Sequence, residues 1–327
     1  MRLSSLLPKS LSLLAASALL LGAAGARAQA YPDKPIRLVV PFAAGGSTDT
    51  IGRALALKLQ ELLKQTVVVE NKPGAAGGIG SGYVAQAAPD GYTLLLCTTS
   101  THAVLPHLND KLSYDAQKQF APVALIAKAP NVLMVSPKIP AKSVTELIEL
   151  ARKKPGTLNF ASSGNGTITH LIGEMFAASA NIQAVHVPYK TGVQALPDIT
   201  SGDIAFSFDS ITWALPQDKA GRVRALAVTS PNRSSLAPEL PTVAESGLPG
   251  FEGMTWFGIA APAGTPPAVV EKLSGRIAAA LNSADLKSQL QAQGVEPDYM
   301  DAPAFDAFIR KESAHWGNLI GKLGVKQ

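Results

Sequence analysis

The 327-residue chain carries 29 Lys and Arg against 24 Asp and Glu, is 46% hydrophobic and contains a single cysteine. One cysteine excludes an internal disulfide and a thiolate metal cluster. Three basic residues (Arg2, Lys9, Arg27) and no acidic one fall in the first thirty positions, so the remainder holds 26 basic against 24 acidic side chains, and without a long basic run that balance gives no support to a nucleic-acid partner.

Met1 to Ala30 has a basic start, an apolar run from Leu11 to Leu21 and the small-x-small ending Ala28-Gln29-Ala30. This is the pattern of a secretory signal peptide, cut after Ala30 or, alternatively, after Ala28. The run is too short to span a membrane. Neither junction has a cysteine for lipid attachment, so the mature chain is expected to be exported and, in a Gram-negative cell, free in the periplasm. Roughly 300 mature residues suggest about two domains.

The first structural signal is an apolar strand, Ile36 to Val40, followed by the turn PFAAGGSTD at 41–49 and a helical pattern from Thr50 to Lys64. A strand that delivers a glycine-rich turn to a helix start points several unpaired backbone N–H groups at one spot, which suits an anion. Gly45 and Gly46 permit close approach, and Ser47 and Thr48 add hydroxyl donors. Asp49 either complements the helix dipole and ties the loop together or contacts a ligand.

Strand 67–70, a second glycine loop at 73–82, a helix about 81–88 and strand 93–97 continue an alternation that implies a parallel sheet covered by helices. Ligands in such sheets gather at the carboxyl ends of the strands. The two glycine loops, with Phe42, Ala43 and Ala76, and the stretch Thr98–His102, with Thr101, all follow strands and belong on that edge. Gly74, Gly78 and Gly80 reproduce a short-chain dehydrogenase spacing, and Tyr114 and Lys118 a Y-x-x-x-K. The loop follows the second strand rather than the first, however, and the tyrosine comes too soon after it, so that enzyme class is set aside. Cys97 lies in a core strand and reads as an inert buried thiol.

Ala121 to Val135 is a long extended apolar stretch interrupted by Pro130, a crossover between domains. A helix from Ser143 to Lys153 and strand 158–161 lead to SSGNGT at 162–167, the opening theme again, and an apolar-striped helix to about Ala180. His170 and Glu174 share a face of that helix without making a metal site, and the other histidines show no ligand spacing. His170 is a supporting residue or a ligand contact. A strand ending at Tyr189-Lys190 and another ending at Asp209 bring those three residues to the ligand edge, with Trp213 as core or pocket wall. After strand 223–228 and a Pro-rich connection, Phe251 to Pro262 is a return crossover. The remainder, 266–282, 285–293 and 303–323, is expected to be helical. Two crossovers enclosing an α/β unit predict a discontinuous first domain (31–127 plus 255–327) and an inserted second one (128–254).

PFAAGGSTD at 41–49, ENKPGAAGGIG at 70–80, LSYDAQKQFAPV at 112–123, SSGNGTITHLIGEMF at 162–176, VPYKTGVQALPDITSGDIAFSFD at 187–209 and LPTVAESGLPGFE at 240–252 resemble, in order, the exported solute-binding proteins of tripartite tricarboxylate transporters, the Bug/TctC family. The resemblance implies an α/β, two-domain periplasmic binding protein of the Venus-flytrap, type II-like kind with two crossover strands. It implies a clamp that closes on a small carboxylate and hands it to membrane permease subunits, with no cofactor and no metal. The cradle it implies comprises Phe42, Ala43, Gly45, Gly46, Ser47 and Thr48 from the first loop. From the second domain it adds Ser162, Ser163, Gly164, Gly166 and Thr167, with Tyr189, Lys190 and Asp209 at or near the wall. Thr191 departs from the glycine usual there and could narrow the pocket, so specificity does not transfer from a relative. Asp209 could favour a hydroxyl or an ammonium on the ligand. Amino acids, di- and tricarboxylates and aromatic acids all stay open.

The protein is expected to act as a monomer. A periplasmic sensor subunit reading the same ligand is the alternative function. An enzyme is not expected, because the chain has no G-x-S-x-G elbow, no histidine paired in sequence with a nucleophile and no metal spacing.

Overall fold

Two long apolar strands, β4 (Phe120–Val135) and β9 (Met254–Pro262), run antiparallel through the middle of the molecule. The computed structural model describes residues 31–292 and 294–324; the leader expected over Met1–Ala30 and its cleavage sites lie outside the described residues. By their contacts the described residues from Lys34 onward form one compact unit.

Around these two strands lie β1 (Ile36–Val40), β2 (Val67–Asn71), β3 (Thr93–Thr98), β5 (Leu158–Ser162), β6 (Ala184–Pro188), β7 (Phe206–Ser210), β8 (Arg224–Val228) and β10 (Glu296–Met300). Among the described residues they form one sheet in the order β2-β1-β3-β9-β4-β7-β5-β6, with β8 and β10 each paired to β4. β1 pairs parallel with β2 and β3, and β5 parallel with β6 and β7, whereas both long strands run antiparallel to their neighbours. β4 changes partners along its length. Residues 120–130 pair with β9, and 131–135 lie between β7 and β8. Pro122 and Pro130 are tolerated because the register shifts after Pro122 and the pairing with β9 ends at Pro130.

The change of partners is held by a buried polar knot. Asn131 donates through Nδ2 to the Gly253 carbonyl and to Thr255 Oγ1, both at 3.1 Å. Its N–H reaches Thr229 Oγ1 at 2.9 Å, and the Thr229 N–H reaches the Asn131 carbonyl at 2.8 Å. Every member is buried, so each lost bond would leave a desolvated group, at a cost of about 1–3 kcal/mol.

The helices are α1 (Ser47–Leu63), α2 (Gly78–Ala85), α3 (Leu105–Leu108), α4 (Val144–Lys153), α5 (Ile168–Ala180), α6 (Gly192–Ser201), α7 (Ile211–Lys219), α8 (Pro267–Leu281), α9 (Ala284–Ala292) and α10 (Ala302–Leu323). α1 buries Ile51, Leu55, Leu59 and Leu63, a stripe at every fourth residue, and ends on Lys64 in the left-handed conformation. In the other half, Phe176 of α5 packs edge-to-face on Phe206, Phe208 and Phe251. No helix among the described residues is long and apolar enough to cross a membrane.

Two elements differ from the sequence reading. Glu296–Met300 is a strand, not part of a helical remainder. It is an edge strand of mixed polarity, EPDYM, held on β4 by pairing at Lys128 and by the Lys128–Asp298 ion pair at 2.9 Å, and no alternation marks it in sequence. α7 follows directly on β7, and its interior Pro216 hides its helical pattern.

Candidate ligand-binding cleft

The carboxyl ends of β1, β3, β5, β6 and β7, the middle of β4 and the start of β9 enclose a cleft of about 680 Å³ of empty volume, open mouth included. Of the residues expected from sequence, Phe42, Ala43, Gly46, Ser47, Thr48, Ser163, Thr167, Lys190 and Asp209 line it together.

α1 starts without a side-chain cap on Gly46, and the N–H groups of Ser47 and Thr48, like their hydroxyls, have no partner among the described residues. The loop before them is rigidly tied. Asp49, 4% exposed, does not line the cleft; it accepts from the Gly45 N–H (3.0 Å), Asn71 Nδ2 (2.9 Å) and Arg53 Nε (3.0 Å). Burial alone would raise its pKa, but the bonds from Arg53, Gly45 and Asn71 and the Arg53 charge outweigh it and hold the carboxyl below its ordinary value. Gly45 lies outside the lining for the same reason: its N–H is taken by Asp49 and its φ of +84° makes the turn.

Several other expected residues support the cleft rather than line it. Ala76 sits in the second glycine loop, which braces Phe42 from behind: a Cβ on neighbouring Gly77 would come within 3.2 Å of the Phe42 ring and 2.6 Å of the Thr101 methyl. The Thr101 hydroxyl accepts from the Thr98 N–H (3.0 Å) and donates to the Thr98 carbonyl (3.1 Å). Ser162 Oγ contacts His186 Nε2 at 2.6 Å and accepts from the Gly164 N–H at 3.1 Å. The Gly164 carbonyl accepts from Thr167 Oγ1 at 2.7 Å, and the Gly166 N–H donates to His170 Nδ1 at 3.3 Å. Tyr189 turns its hydroxyl to Asp198 Oδ2 at 2.5 Å. His170 is a supporting residue, stacked on His186 with ring centroids 4.0 Å apart.

The first turn of α5 is largely occupied. Thr167 caps the His170 N–H, and the Ile168 N–H donates to Ser100 Oγ at 3.0 Å, a bond joining the end of β3 to α5. The open helix start on that side belongs instead to α6, where the Gly192 and Val193 N–H groups have no partner among the described residues and both residues line the cleft. A Cβ at Gly192 would overlap Asp209 Oδ2, so a side chain there would displace that carboxyl group. Burial pushes Asp209 up to about 7, against the pull of the Ser210 N–H at 2.7 Å. Trp213 and Thr191 also line the cleft, as pocket wall in both cases. Among the described residues no group of three potential ligands could hold a metal ion.

Sequence reasoning places Thr98 and Ser100 on the ligand edge only as part of the stretch 98–102, and it missed Asn131, Ile168, Thr169, Gly192, Val193, Ser210 and Thr255 as lining residues. Asn131 and Thr255 left a usable signal, since each is a polar residue inside an extended apolar crossover.

The state of Asp209 has a measurable consequence. From its ordinary value of 3.8 up to about 7, the folded state keeps a proton that the unfolded state has lost. Its contribution to stability therefore declines as pH rises through that window and is constant above it. Asp209→Asn lacks the decline, so its urea midpoint should gain on the parent's steadily from pH 4 to 7. A difference independent of pH would contradict the assignment.

The family model described as "Tripartite tricarboxylate transporter family receptor" matches residues 51–325. Among curated relatives, a UPF0065 protein encoded in the tcbD-tcbE intergenic region of Pseudomonas sp. (strain P51) is 40% identical over 94% of this chain and 92% of its own. Among solved structures, the periplasmic binding protein BugD is 35% identical with a TM-score of 0.85, covering 90% of this chain and 99% of that one. A Rhodopseudomonas palustris protein solved with adipate is 35% identical with a TM-score of 0.87, at the same coverage. MatC from that organism, solved with bound malate, is 30% identical with a TM-score of 0.82, covering 89% of this chain and all of that one. The mixed α/β, two-lobe fold of periplasmic binding proteins, expected from the sequence, is the fold of this chain.

Proposed function

The chain belongs to the tripartite tricarboxylate transporter receptor family, and on that premise we propose that it is an exported solute-binding protein that captures a small carboxylate in the cleft and delivers it to the permease subunits of such a transporter. The observation that carries this reading is the uncapped start of α1, with two backbone N–H groups and two hydroxyls unpaired at the cleft wall. Each hydrogen bond to a carboxylate there would contribute about 1.5–3 kcal/mol, and the helix dipole about 0.3–1 kcal/mol more. The adipate and malate found in two related structures are consistent with such a ligand.

The lobes in this reading are 31–127 with 255–327, and 128–254. The partner change of β4 at Asn131 and the start of β9 at Met254 support those boundaries. Because α1 lies in the first lobe and α6, Lys190 and Asp209 in the second, a ligand touching both favours the closed arrangement by its difference in affinity for closed over open. The leader is removed after Ala30 or Ala28, and the mature protein works in the periplasm as a monomer without cofactor or metal.

Calorimetric titration of the protein starting at Tyr31 with malate, adipate, acidic amino acids and aromatic carboxylates tests the proposal. One-to-one binding of a carboxylate, raising the thermal midpoint by the equivalent of about 2.7 kcal/mol at a hundred times its dissociation constant, is expected. A panel that gives neither heat nor a midpoint shift, or a carboxylate that is turned over, would contradict it.

A further inference from the structure

In the two-lobe reading above, the first turn of α5 takes one of its hydrogen bonds from the opposite lobe. Two of its bonds are made at home: Thr167 Oγ1 accepts from the His170 N–H, and Thr169 Oγ1 accepts from the Ser163 N–H at 3.0 Å. The Ile168 N–H is different. As the first residue of the helix it has no carbonyl behind it to bond, and it donates instead to Ser100 Oγ, in the stretch 31–127, at 3.0 Å. Both residues are buried, Ser100 at 2% exposure and Ile168 at 5%.

Ser100 is held firmly on its own side. Thr99 Oγ1 accepts from the Trp256 N–H at 2.9 Å. Thr101 Oγ1 bonds both backbone groups of Thr98, and the Tyr114 hydroxyl donates to the Thr101 carbonyl at 2.6 Å. The residues before and after Ser100 are thus fixed to the first lobe, and its hydroxyl is presented to α5. A second bond between the lobes, from Ser235 Oγ to Glu296 Oε1 at 2.5 Å, joins exposed residues, where water competes for both partners.

With the lobes apart, water serves the Ser100 hydroxyl and the Ile168 N–H alike, so closing them exchanges one set of hydrogen bonds for another. Without the hydroxyl, closing would bury the Ile168 N–H with no acceptor, and a buried unpaired donor is strongly disfavoured. Resting on the two-lobe solute-binding reading, we propose that Ser100 controls lobe closure: it caps α5 from across the cleft and holds the unliganded protein in the closed arrangement. A binding-competent arrangement populated only in part weakens every ligand by that same fraction. Ser100 therefore scales affinity without selecting among ligands.

Small-angle X-ray scattering and calorimetry on the protein starting at Tyr31 test this. Unliganded Ser100→Ala is expected to have a larger radius of gyration than the parent. Among malate, adipate and benzoate, each one that binds should be weakened fivefold or more, and all by the same factor. Ile168→Pro in the Ser100→Ala background then removes the stranded donor. Proline suits the first position of a helix and has no N–H, and Thr167, at φ −78° and ψ 161°, already has the extended backbone that a residue before proline needs. This double variant should recover most of the lost compactness and affinity. An unliganded radius of gyration that Ser100→Ala leaves unchanged, a weakening that differs between ligands, or a double variant that recovers neither property overturns the proposal and leaves the carboxylate reading standing. A protein that binds no carboxylate overturns that reading, while the unliganded scattering still decides the role of Ser100.

Discussion

Ser47→Asp is expected to fold at least as well as the parent and to bind carboxylates a hundredfold or more weakly. Ser47 is the first residue of α1 and lines the cleft, with its N–H and hydroxyl unpaired. An acidic side chain in the first turn of a helix complements the dipole and adds about 0.3–1 kcal/mol to stability. The same charge stands where the ligand's carboxylate is to be received. Two like charges about 4 Å apart repel by about 4 kcal/mol at the effective dielectric near a protein surface, and a hundredfold loss requires only about 2.8 kcal/mol. The two effects have opposite signs, so a failure to fold cannot imitate the failure to bind. Urea unfolding and a carboxylate titration on the same preparation check both. A Ser47→Asp protein that keeps the parent's affinity would remove α1 from the site.

Gly258→Ala is expected to lower the thermal midpoint by several degrees, corresponding to about 1–3 kcal/mol of overpacking. Gly258 lies in β9 between Cys97 of β3 and Leu125 of β4, and the Phe305 ring of α10 covers it so closely that a Cβ would overlap the ring. Phe305 is fully buried and packs edge-to-face on Trp256, with ring centroids 5.6 Å apart. It cannot retreat without disturbing a second large side chain. A glycine in the centre of a sheet is otherwise a poor choice, having neither side-chain packing nor β propensity. The ring explains its presence. Phe305→Leu in the Gly258→Ala background should recover part of the loss, as a double-mutant cycle would show. A Gly258→Ala midpoint equal to the parent's would mean that the ring is not held as described.

What could be read from sequence follows the range of the interactions involved. The strand–turn–helix at 36–64 is local: Gly45 makes the turn, Ile51, Leu55 and Leu59 are spaced for a buried stripe, and the unpaired N–H groups follow from helix geometry alone. Lys190 and Asp209 were placed on the ligand edge by a topological rule that needs only the order of strands. The cleft floor was hidden because its bonds are long-range. Asn131 and Thr255 are 124 residues apart and meet only when β4 and β9 pair. Ser162 shows the converse. Its loop resembles that of α1, yet its hydroxyl is drawn to His186, 24 residues on, by the parallel pairing of β5 with β6. β10 was missed because an edge strand that takes its place from a neighbour needs no hydrophobic alternation of its own.

The structural role of Asp49 shows how a binding loop is made rigid. Its carboxylate joins the turn, α1 and the end of β2, so the N–H groups of Ser47 and Thr48 are held in place before a ligand arrives. Less conformational freedom then remains to be lost on binding. Opposite them, the pair formed by Ser100 and Ile168 links the two sides of the cleft directly, so that an open arrangement would lack one hydrogen bond at α5.

The most direct test of carboxylate capture at α1 is a crystal structure of the protein starting at Tyr31, grown with saturating malate or whichever carboxylate the titration identifies. A carboxylate group within about 2.7–2.9 Å of the Ser47 and Thr48 N–H nitrogens, with the lobes closed over it, is the predicted result. A ligand whose carboxylate lies away from the start of α1, or one bound outside the cleft, would contradict it.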